Sequence, residues 1–255
     1  MADVTLYHWE PNANSGKPML ALVEKGVPFA SRYINMLEFD QHQPAYLAVN
    51  PQGTIPAMLH GDKVLTESTA IMEYVDAAFA GPALMPEDAR DRWRIRWWMK
   101  FMDQWLGPSF SMIGWCTFVG PSLAHKSEEE REAMIARIPL PERRTAWRKA
   151  MFAEFGEAEL AESRRRIALG VTMIEEELGK REYVASNRYS LADINIFNST
   201  YMLPVGNPEL VGADKTPNLW RWLKTVYRRP AVQQTWAMGS GRFTDRFNAI
   251  MGEFA

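Results

Sequence analysis

Hydrophobic and polar residues alternate in short segments at the beginning of the chain. Val4 to Trp9 alternates as a strand does, and a polar loop follows it. Pro18 and Gly26 are typical of the first turn and the end of a helix, so we predict a helix at about residues 17–25. The alternation from Phe29 to Asn35 then predicts a second strand.

The next segments predict a hairpin followed by a helix. Residues 54–59 and 63–65 have the pattern of two strands on either side of a Gly61-Asp62 turn. Glu67-Ser68-Thr69 then begins a predicted helix with one apolar side. The order strand, helix, strand, hairpin, helix predicts a small α/β layer structure.

Helical periodicity dominates the rest of the chain. Aromatic residues recur at helical spacing from Trp93 to Trp105, and an apolar stripe extends from Ile167 to Leu178. The highly charged residues 127–166 predict either a solvated helical face or an irregular insertion. Glycine and proline interrupt the pattern near residue 80. We therefore expect an α/β domain over residues 1–80, a linker over 81–90 and an all-helical domain over 91–255.

Composition removes several classes of function. The net charge of the 255 residues is −2, which offers no basic surface for nucleic acid or an anionic membrane. No apolar run has the length of a membrane-spanning helix, and the first residues lack the pattern of a signal peptide. The single cysteine, Cys116, excludes an intrachain disulfide framework and a multi-cysteine metal site. We expect a cytoplasmic protein with no metal site, no nucleic-acid partner and no membrane partner.

Three short segments of the α/β domain carry candidate binding chemistry. Asn14-Ser15 stands at a helix start, where free N–H groups and a partial positive charge favour an anion such as a thiolate. Ile55-Pro56 precedes a strand and could form a cis peptide that turns backbone groups toward a ligand. Glu67-Ser68 could bind an ammonium and a carboxylate. Ordinary helix capping is the alternative for the first and third segments, and a trans proline for the second.

In combination, these segments resemble the cytosolic glutathione S-transferases. The resemblance continues through Ser190-Leu191-Ala192-Asp193, which is similar to the buried N-capping box of that superfamily. It also includes a predicted last helix between Pro217 and Arg229. The resemblance implies a thioredoxin-like α/β N-terminal domain, an all-α C-terminal helical-bundle domain, glutathione as cosubstrate, and a dimer.

The resemblance also implies roles for individual residues. In those enzymes the X-Pro backbone pairs with the cysteinyl part of glutathione, which falls on Ile55 and Pro56 here. A Glu-Ser pair holds the γ-glutamyl end, which falls on Glu67-Ser68. Gln41-His42 lies where the family often contacts the glycyl carboxylate, although His42 fits a surface position equally well.

The first loop departs from the pattern of thioredoxins and of many bacterial transferases. Asn14 stands where those proteins have a cysteine, and Ser15 follows it, so thiol–disulfide exchange is not expected. Either side chain could donate a hydrogen bond to sulfur. A free thiol has a pKa of about 8.5, and stabilising its charged form lowers that pKa. Asn14 and Ser15 are therefore the candidate catalytic residues.

A more particular resemblance is to the bacterial lignin β-aryl etherases. It rests on residues 12–18, 39–42, 66–69 and 113–115 and on the segment 138–148. It implies attack of glutathione on the β-carbon of an α-keto β-aryl ether, with release of a phenolate and formation of a β-glutathionyl ketone. A general transferase for other electrophiles, a glutathione lyase and a non-catalytic binding module remain as alternatives.

Such a substrate requires an apolar, aromatic pocket. Several large side chains lie in the sequence near the end of the first long helix or later in the helical domain. Each of them could equally belong to the core. The candidates for the substrate pocket are Trp105, Phe110, Met112, Trp115, Phe118 and Tyr201.

Overall fold

The structure, a computed structural model, describes residues 3–241 and Ala249. The predicted last domain, residues 91–255, therefore extends partly beyond the described residues. The elements of the first part are β1 (Val4–His8), α1 (Gly16–Glu24), β2 (Ala30–Tyr33), α2 (Pro44–Leu47), β3 (Ala57–His60), β4 (Lys63–Leu65) and α3 (Ser68–Ala78).

These strands form one sheet in the order β2-β1-β3-β4. β1 pairs in parallel with β2 and antiparallel with β3, and β3 pairs antiparallel with β4. Val4 and Leu6 of β1 are buried on one face of the sheet, as the alternation predicts. Helix α1 joins the two parallel strands and packs against α3. This is the expected thioredoxin-like layer.

Strand β2 is shorter and more exposed than its sequence predicts. It covers only Ala30–Tyr33, and its last three residues are exposed. The physical reason is its position at the edge of the sheet, since an edge strand has a neighbour on one side only.

Ten residues, 79–88, separate the end of α3 from the start of the helical part. Its long elements are amphipathic, and they pack around a core of aliphatic and aromatic side chains. Its helices are α4 (Ala89–Phe101), α5 (Gly107–Gly114), α6 (Gly120–Leu123), α7 (Glu128–Ala136), α8 (Pro141–Met151), α9 (Glu157–Leu178), α10 (Leu191–Thr200), α11 (Leu203–Gly206), α12 (Pro217–Tyr227) and α13 (Pro230–Trp236).

The first of these helices is not a regular α-helix throughout. It continues through α5 and α6 by way of two π-helical segments, Met102–Leu106 and Trp115–Val119. Each segment is followed by a Gly-Pro pair, at Gly107-Pro108 and Gly120-Pro121. Proline has no N–H to donate to the carbonyl one turn earlier, and a wider turn before it accommodates that loss. The spacing of the tryptophans predicts the helix but not these two irregular turns.

The charged segment is helical, as one of the two sequence alternatives predicts. Residues 127–166 form α7, α8 and the beginning of α9, and Ser127 caps α7 with a capping box. Ile138 and Trp147 from this segment are fully or almost fully buried. The charged side chains lie on the outer faces of these helices. The high charge of the segment gave no sign of the apolar inner face. The prediction of a solvated helical face is therefore confirmed, and the alternative of an irregular insertion was wrong.

Two predicted helix signals are confirmed near the end of the chain. Asp193 and Ser190 form the predicted capping box of α10, and α12 begins at Pro217. α12 ends at Tyr227, and Pro230 begins the further helix α13, which the sequence reading did not predict. A proline that ends one helix can equally be the first residue of the next.

The buried apolar residues form two clusters. The larger one joins the sheet and α1 to the helical core. The smaller one, which we call the interdomain cluster, brings loops of the α/β part against α6, α7 and α8. Its buried members are Trp9, Leu37, Phe39, Val119, Leu123, Met134, Ile135, Ile138, Trp147 and Met151. Among the described residues, no helix combines the length and apolarity that crossing a membrane requires.

Candidate active site

The loop between β1 and α1 holds the two candidate catalytic residues in different surroundings. Ser15 is buried, and its Oγ accepts a hydrogen bond from the backbone N of Trp9 at 2.9 Å. A hydroxyl that accepts one bond still has its hydrogen to donate. Asn14 is exposed. The Ser15 side chain makes no cap hydrogen bond to α1, so the capping alternative does not hold for it.

The helical domain contacts the loop between β1 and α1 and fixes its position. Asn198 of α10 donates a hydrogen bond from Nδ2 to the carbonyl oxygen of Ala13. Gly16 follows in so tight a space that a Cβ there would collide with the carbonyl oxygen of Pro11 and with Asn198. Ser15 therefore has a position set by both domains and by the absence of a side chain at Gly16.

The Ile55-Pro56 peptide is cis, so the trans alternative does not hold. Two side chains hold the preceding carbonyl of Thr54: Tyr46 Oη donates to it at 2.6 Å and Asn50 Nδ2 at 2.8 Å. Pro56 is buried, whereas Ile55 is half-buried and packs against the interdomain cluster. The backbone of this segment is fixed immediately beside apolar side chains of the helical domain.

Glu67-Ser68 begins α3 with unusual backbone geometry. Glu67 has φ 65° and ψ 106°, in a region that residues other than glycine rarely adopt. No side-chain cap hydrogen bond is present at this helix start, so capping does not explain the pair. Glu67 is exposed and Ser68 is half-buried. A carboxylate, a hydroxyl and free helix N–H groups therefore stand together at this helix start.

A polar network that the sequence reading missed lies behind Glu67-Ser68. Lys17 Nζ is 2.9 Å from Asp103 Oδ1, and Asn195 Nδ2 donates to the same Asp103 oxygen at 3.1 Å and to Thr69 Oγ1 at 2.9 Å. Burial lowers the pKa of Lys17, while the Asp103 carboxylate opposes that shift. The network ties the starts of α1 and α3 to the helical domain. The sequence feature that could have indicated this network is Lys17, a lysine in a mostly apolar helix.

Gln41 and His42 are both buried, which contradicts a surface position for His42. Neither ring nitrogen of His42 has a hydrogen-bond partner, and neither does the amide oxygen of Gln41. Burial, and after it the cations of Arg137 and Arg143, together lower the pKa of His42 to about 4. The imidazole is therefore neutral at physiological pH. Unpartnered polar atoms in a buried position are typical of a site that receives a polar ligand.

The structure brings together only some of the predicted pocket residues. Trp115 and Phe118 both pack at the interdomain cluster, beside Ile55. The ring of Phe118 lies 6.5 Å from that of Trp9, and Trp115 lies 5.3 Å from Trp147. Two aromatic side chains of the helical domain thus lie next to the loops that carry Ser15 and the cis peptide.

The other predicted pocket residues lie elsewhere. Tyr201 is buried in the larger core, with its ring 5.3 Å from that of Trp236, so the core alternative describes it. The ring of Trp105 stacks on that of Phe101, with the ring centres 5.0 Å apart. Phe101 stacks in turn on Trp97, so these side chains form an aromatic row along the long helix. Phe110 packs against the larger cluster, and Met112 accepts a hydrogen bond from Ser163 Oγ at 3.3 Å. Proximity in sequence did not predict which of these side chains face the site. The two π-helical turns shift the helical spacing and so change the side of the helix on which a residue lies.

Two shallow grooves lie on the surface of α4 and α9. The larger one, of about 390 Å³, is lined by Trp97, Phe101 and Trp105 among others, away from Ser15 and Glu67. Residues 3–241 contain no cluster of three or more histidine, cysteine or acidic side chains that could hold a metal ion.

A thioredoxin-like layer, a cis proline before β3, a polar helix start at Glu67-Ser68 and an all-helical second part define a class of protein. Residues 2–77 match the family described as "Glutathione S-transferase, N-terminal domain", and residues 107–230 match "Glutathione S-transferase, C-terminal domain". The chain belongs to the glutathione S-transferase family.

Within that family, the chain is similar to Protein LigF of Sphingobium sp. strain SYK-6. The two are 37% identical over 235 residues, covering 90% of this chain and 91% of LigF. The crystal structure of beta-etherase LigF matches with a TM-score of 0.89 at 35% identity, covering 93% of this chain and 99% of that one. A glutathione-bound theta class enzyme of the citrus canker pathogen Xanthomonas axonopodis pv. citri matches with a TM-score of 0.68, covering 92% of this chain and 97% of that one. At 24% identity, this last match shows the shared fold.

Proposed function

We propose that this protein is a glutathione-dependent β-etherase that cleaves the β-aryl ether bond of lignin-derived α-keto aromatic dimers. The observation that carries the proposal is the similarity to beta-etherase LigF in sequence and in structure over about nine-tenths of the chain. Glutathione is the cosubstrate, as in the glutathione S-transferase family to which the chain belongs.

The reaction is a displacement at the β-carbon of the ketone. The thiolate of glutathione forms a C–S bond, the β C–O bond breaks, and its electron pair leaves with the aryl oxygen as a phenolate. The products are a β-glutathionyl ketone and, after protonation, a phenol. The neighbouring ketone withdraws charge from the β-carbon, while the protein holds the two reactants in register.

We assign glutathione to the edge of the thioredoxin-like layer. Ile55 and Pro56 offer the cysteinyl part a fixed backbone, and Glu67-Ser68 receives the γ-glutamyl end. Three observations support this arrangement: the cis peptide, the left-handed Glu67 backbone and the absence of a side-chain cap on α3. Gln41 and His42, buried with unpartnered polar atoms, take the glycyl end.

We assign activation of the thiol to Ser15. Its buried hydroxyl accepts from Trp9 and retains a hydrogen to donate, while the exposed Asn14 amide is surrounded by water. Each unit by which this hydrogen bond lowers the thiol pKa corresponds to about 1.4 kcal/mol. A decrease of about two units would make thiolate the main species at neutral pH.

We assign the aromatic rings of the substrate to the space beside Trp115 and Phe118. These side chains adjoin Ile55 and Trp9 at the interdomain cluster, so a ring bound there would lie near the sulfur. Trp105, Phe110, Met112 and Tyr201 face other parts of the molecule and are secondary candidates.

The decisive experiment measures phenol release from a model α-keto β-aryl ether, with and without glutathione. We expect release that requires glutathione, together with a glutathionyl ketone in equal amount. The α-hydroxy analogue is the matched control, and it should react far more slowly because it lacks the activating ketone. Turnover of aryl halides without ether cleavage would instead indicate a general transferase. Passage through immobilised glutathione without retention would indicate a non-catalytic module.

We also propose that the protein is a cytoplasmic dimer. The cytosol maintains a glutathione pool, which the reaction consumes. The exposed aromatic row along the long helix supports association with a second copy. Trp93 and Trp97 are 61% and 41% exposed, and the Trp97 and Phe101 rings stack at 5.4 Å. Contiguous apolar surface of this kind typically marks an interface.

A further inference from the structure

Arg143 is a half-buried cation in the first turn of α8. Its neighbours on the same helix have partners: Arg144 Nε donates to the carbonyl oxygen of Ile138 at 2.5 Å, and Arg148 pairs with Glu132. Within residues 3–241, by contrast, the Arg143 guanidinium makes neither a hydrogen bond nor an ion pair. Arginine presents five N–H donors, and a partly buried guanidinium with none of them engaged is ready for an anion.

The surroundings of Arg143 connect the two ends of the proposed glutathione site. Arg143 lies within electrostatic reach of the Glu67 carboxylate, of the neighbouring Glu142 carboxylate and of the His42 ring. Arg137, at the end of α7, is also near His42 and places its guanidinium 5.9 Å from the centre of the Phe39 ring. Two cations from the helical domain therefore lie near a neutral imidazole of the α/β domain.

Aromatic packing fixes this arrangement. The Phe39 ring lies 5.1 Å from the His42 ring and 4.7 Å from the Trp147 ring of α8. Phe39 and Trp147 are both buried in the interdomain cluster. Helix α8, which carries Arg143, is thus packed onto the turn that carries Gln41 and His42.

We propose that Arg143, with Arg137 beside it, binds the glycyl carboxylate of glutathione opposite His42. This assignment rests on the proposed function and adds a contact from the helical domain to a site otherwise built on the α/β domain. A carboxylate there gains two cations, and the neutral His42 ring can contribute one N–H donor. The glycyl end fits better than the γ-glutamyl end because Glu67 and the start of α3 already serve the latter.

The consequence is selectivity for the tripeptide. γ-Glutamylcysteine has the same thiol and γ-glutamyl end but lacks the glycine, so it cannot use Arg143. Glutathione with its glycyl carboxylate amidated keeps the length but loses the charge. Both probes should bind the wild-type protein more weakly than glutathione does.

The test compares calorimetric affinities for these three ligands in the wild-type protein and in Arg143→Gln. We expect Arg143→Gln to weaken glutathione binding about tenfold and to leave γ-glutamylcysteine within about twofold. Arg144→Gln is the matched control, because it removes the same charge one residue away and should leave the preference for the tripeptide intact. A second readout is the His42 titration followed by NMR in the free protein. Its pKa of about 4 should rise in Arg143→Gln because a nearby cation is gone.

Three outcomes would overturn the assignment. Unchanged glutathione affinity in Arg143→Gln would exclude the contact. An equal loss for glutathione and γ-glutamylcysteine would place the arginine elsewhere in the site or in the fold. An unchanged His42 pKa would show that Arg143 does not face the imidazole. If the wild-type protein bound none of the three ligands, the proposed function would fail as well, which distinguishes that failure from the other three.

Discussion

At the scale of single residues, burial separates side chains that the sequence presents as equivalent. Asn14 and Ser15 are adjacent and both can donate a hydrogen bond, yet one is exposed and the other is almost fully buried. A buried donor acts in a medium of lower effective dielectric constant, where a hydrogen bond to an anion is stronger than in water. Ser15 is for that reason the stronger candidate for holding a thiolate.

We predict that Ser15→Ala raises the pKa of the bound glutathione thiol by at least about one unit, because the anion loses its donor. From a thiol pKa of about 6.5 in the wild-type complex, this rise would lower the thiolate fraction at neutral pH about threefold, as measured by ultraviolet titration of the complex. Ser15→Thr keeps the hydroxyl and should preserve most of the effect, and Asn14→Ala should change the thiol pKa less. If Asn14 and Ser15 could be replaced together without loss of turnover, the activation scheme would be wrong.

At the scale of elements, the start of α10 is capped by a buried carboxylate. Asp193 is fully buried in the capping box of α10, where it accepts from Ser190 N, Ser190 Oγ, Val184 N and Trp222 Nε1 at 2.9–3.0 Å. Burial raises the pKa of this carboxyl to about 6, and the hydrogen bonds oppose the shift. Four donors from three segments thus depend on one side chain.

We predict that Asp193→Ala lowers the free energy of unfolding by about 4 kcal/mol, because it leaves four buried donors unpaired. Asp88 is a matched control: it caps α4 through Arg90 N and Asp91 N, both at 2.9 Å, but lies at an exposed site. Asp88→Ala should cost only about 1 kcal/mol. Urea denaturation of both variants measures the difference, and equal losses would refute the role of burial.

At the scale of the whole molecule, the candidate site lies where the two domains meet. Asn198 holds the loop before α1, Asp103 and Asn195 hold the starts of α1 and α3, and Trp147 packs on Phe39. The helical domain therefore positions the residues proposed to bind glutathione as well as those proposed to bind the substrate. The aromatic row on α4 lies on a different surface, which leaves it available to a second copy.

We predict that Trp93→Glu combined with Trp97→Glu converts a dimer into a monomer, because two charges would be buried without partners in an apolar interface. Light scattering after size exclusion measures the mass, and circular dichroism checks that the helices remain. Val64→Glu is the control, since Val64 is 44% exposed in β4, outside the aromatic row, and should leave the mass unchanged. A wild-type protein that has the mass of one chain would contradict the dimer.

Local patterns were sufficient for much of the fold. The strand–helix–strand order, the hairpin, the capping box at Ser190 and the helix beginning at Pro217 all follow from spacing and from residues typical of helix ends. These features depend on neighbours within a few residues, which the sequence displays directly. The same holds for Glu67-Ser68, whose position before a helix is visible in the chain.

The apolar face of the charged segment, the further helix α13 and the separation of Tyr201 from Trp115 could not be read from the chain. Each depends on which distant surface covers a residue, and local spacing carries no information about that. The burial of His42 beneath α8 and the position of Arg143 beside it are of the same kind. The sequence by itself determined the elements and the family resemblance. Only the tertiary structure decided which side chains share the site, because packing between segments far apart in sequence sets burial and therefore charge and hydrogen-bonding capacity.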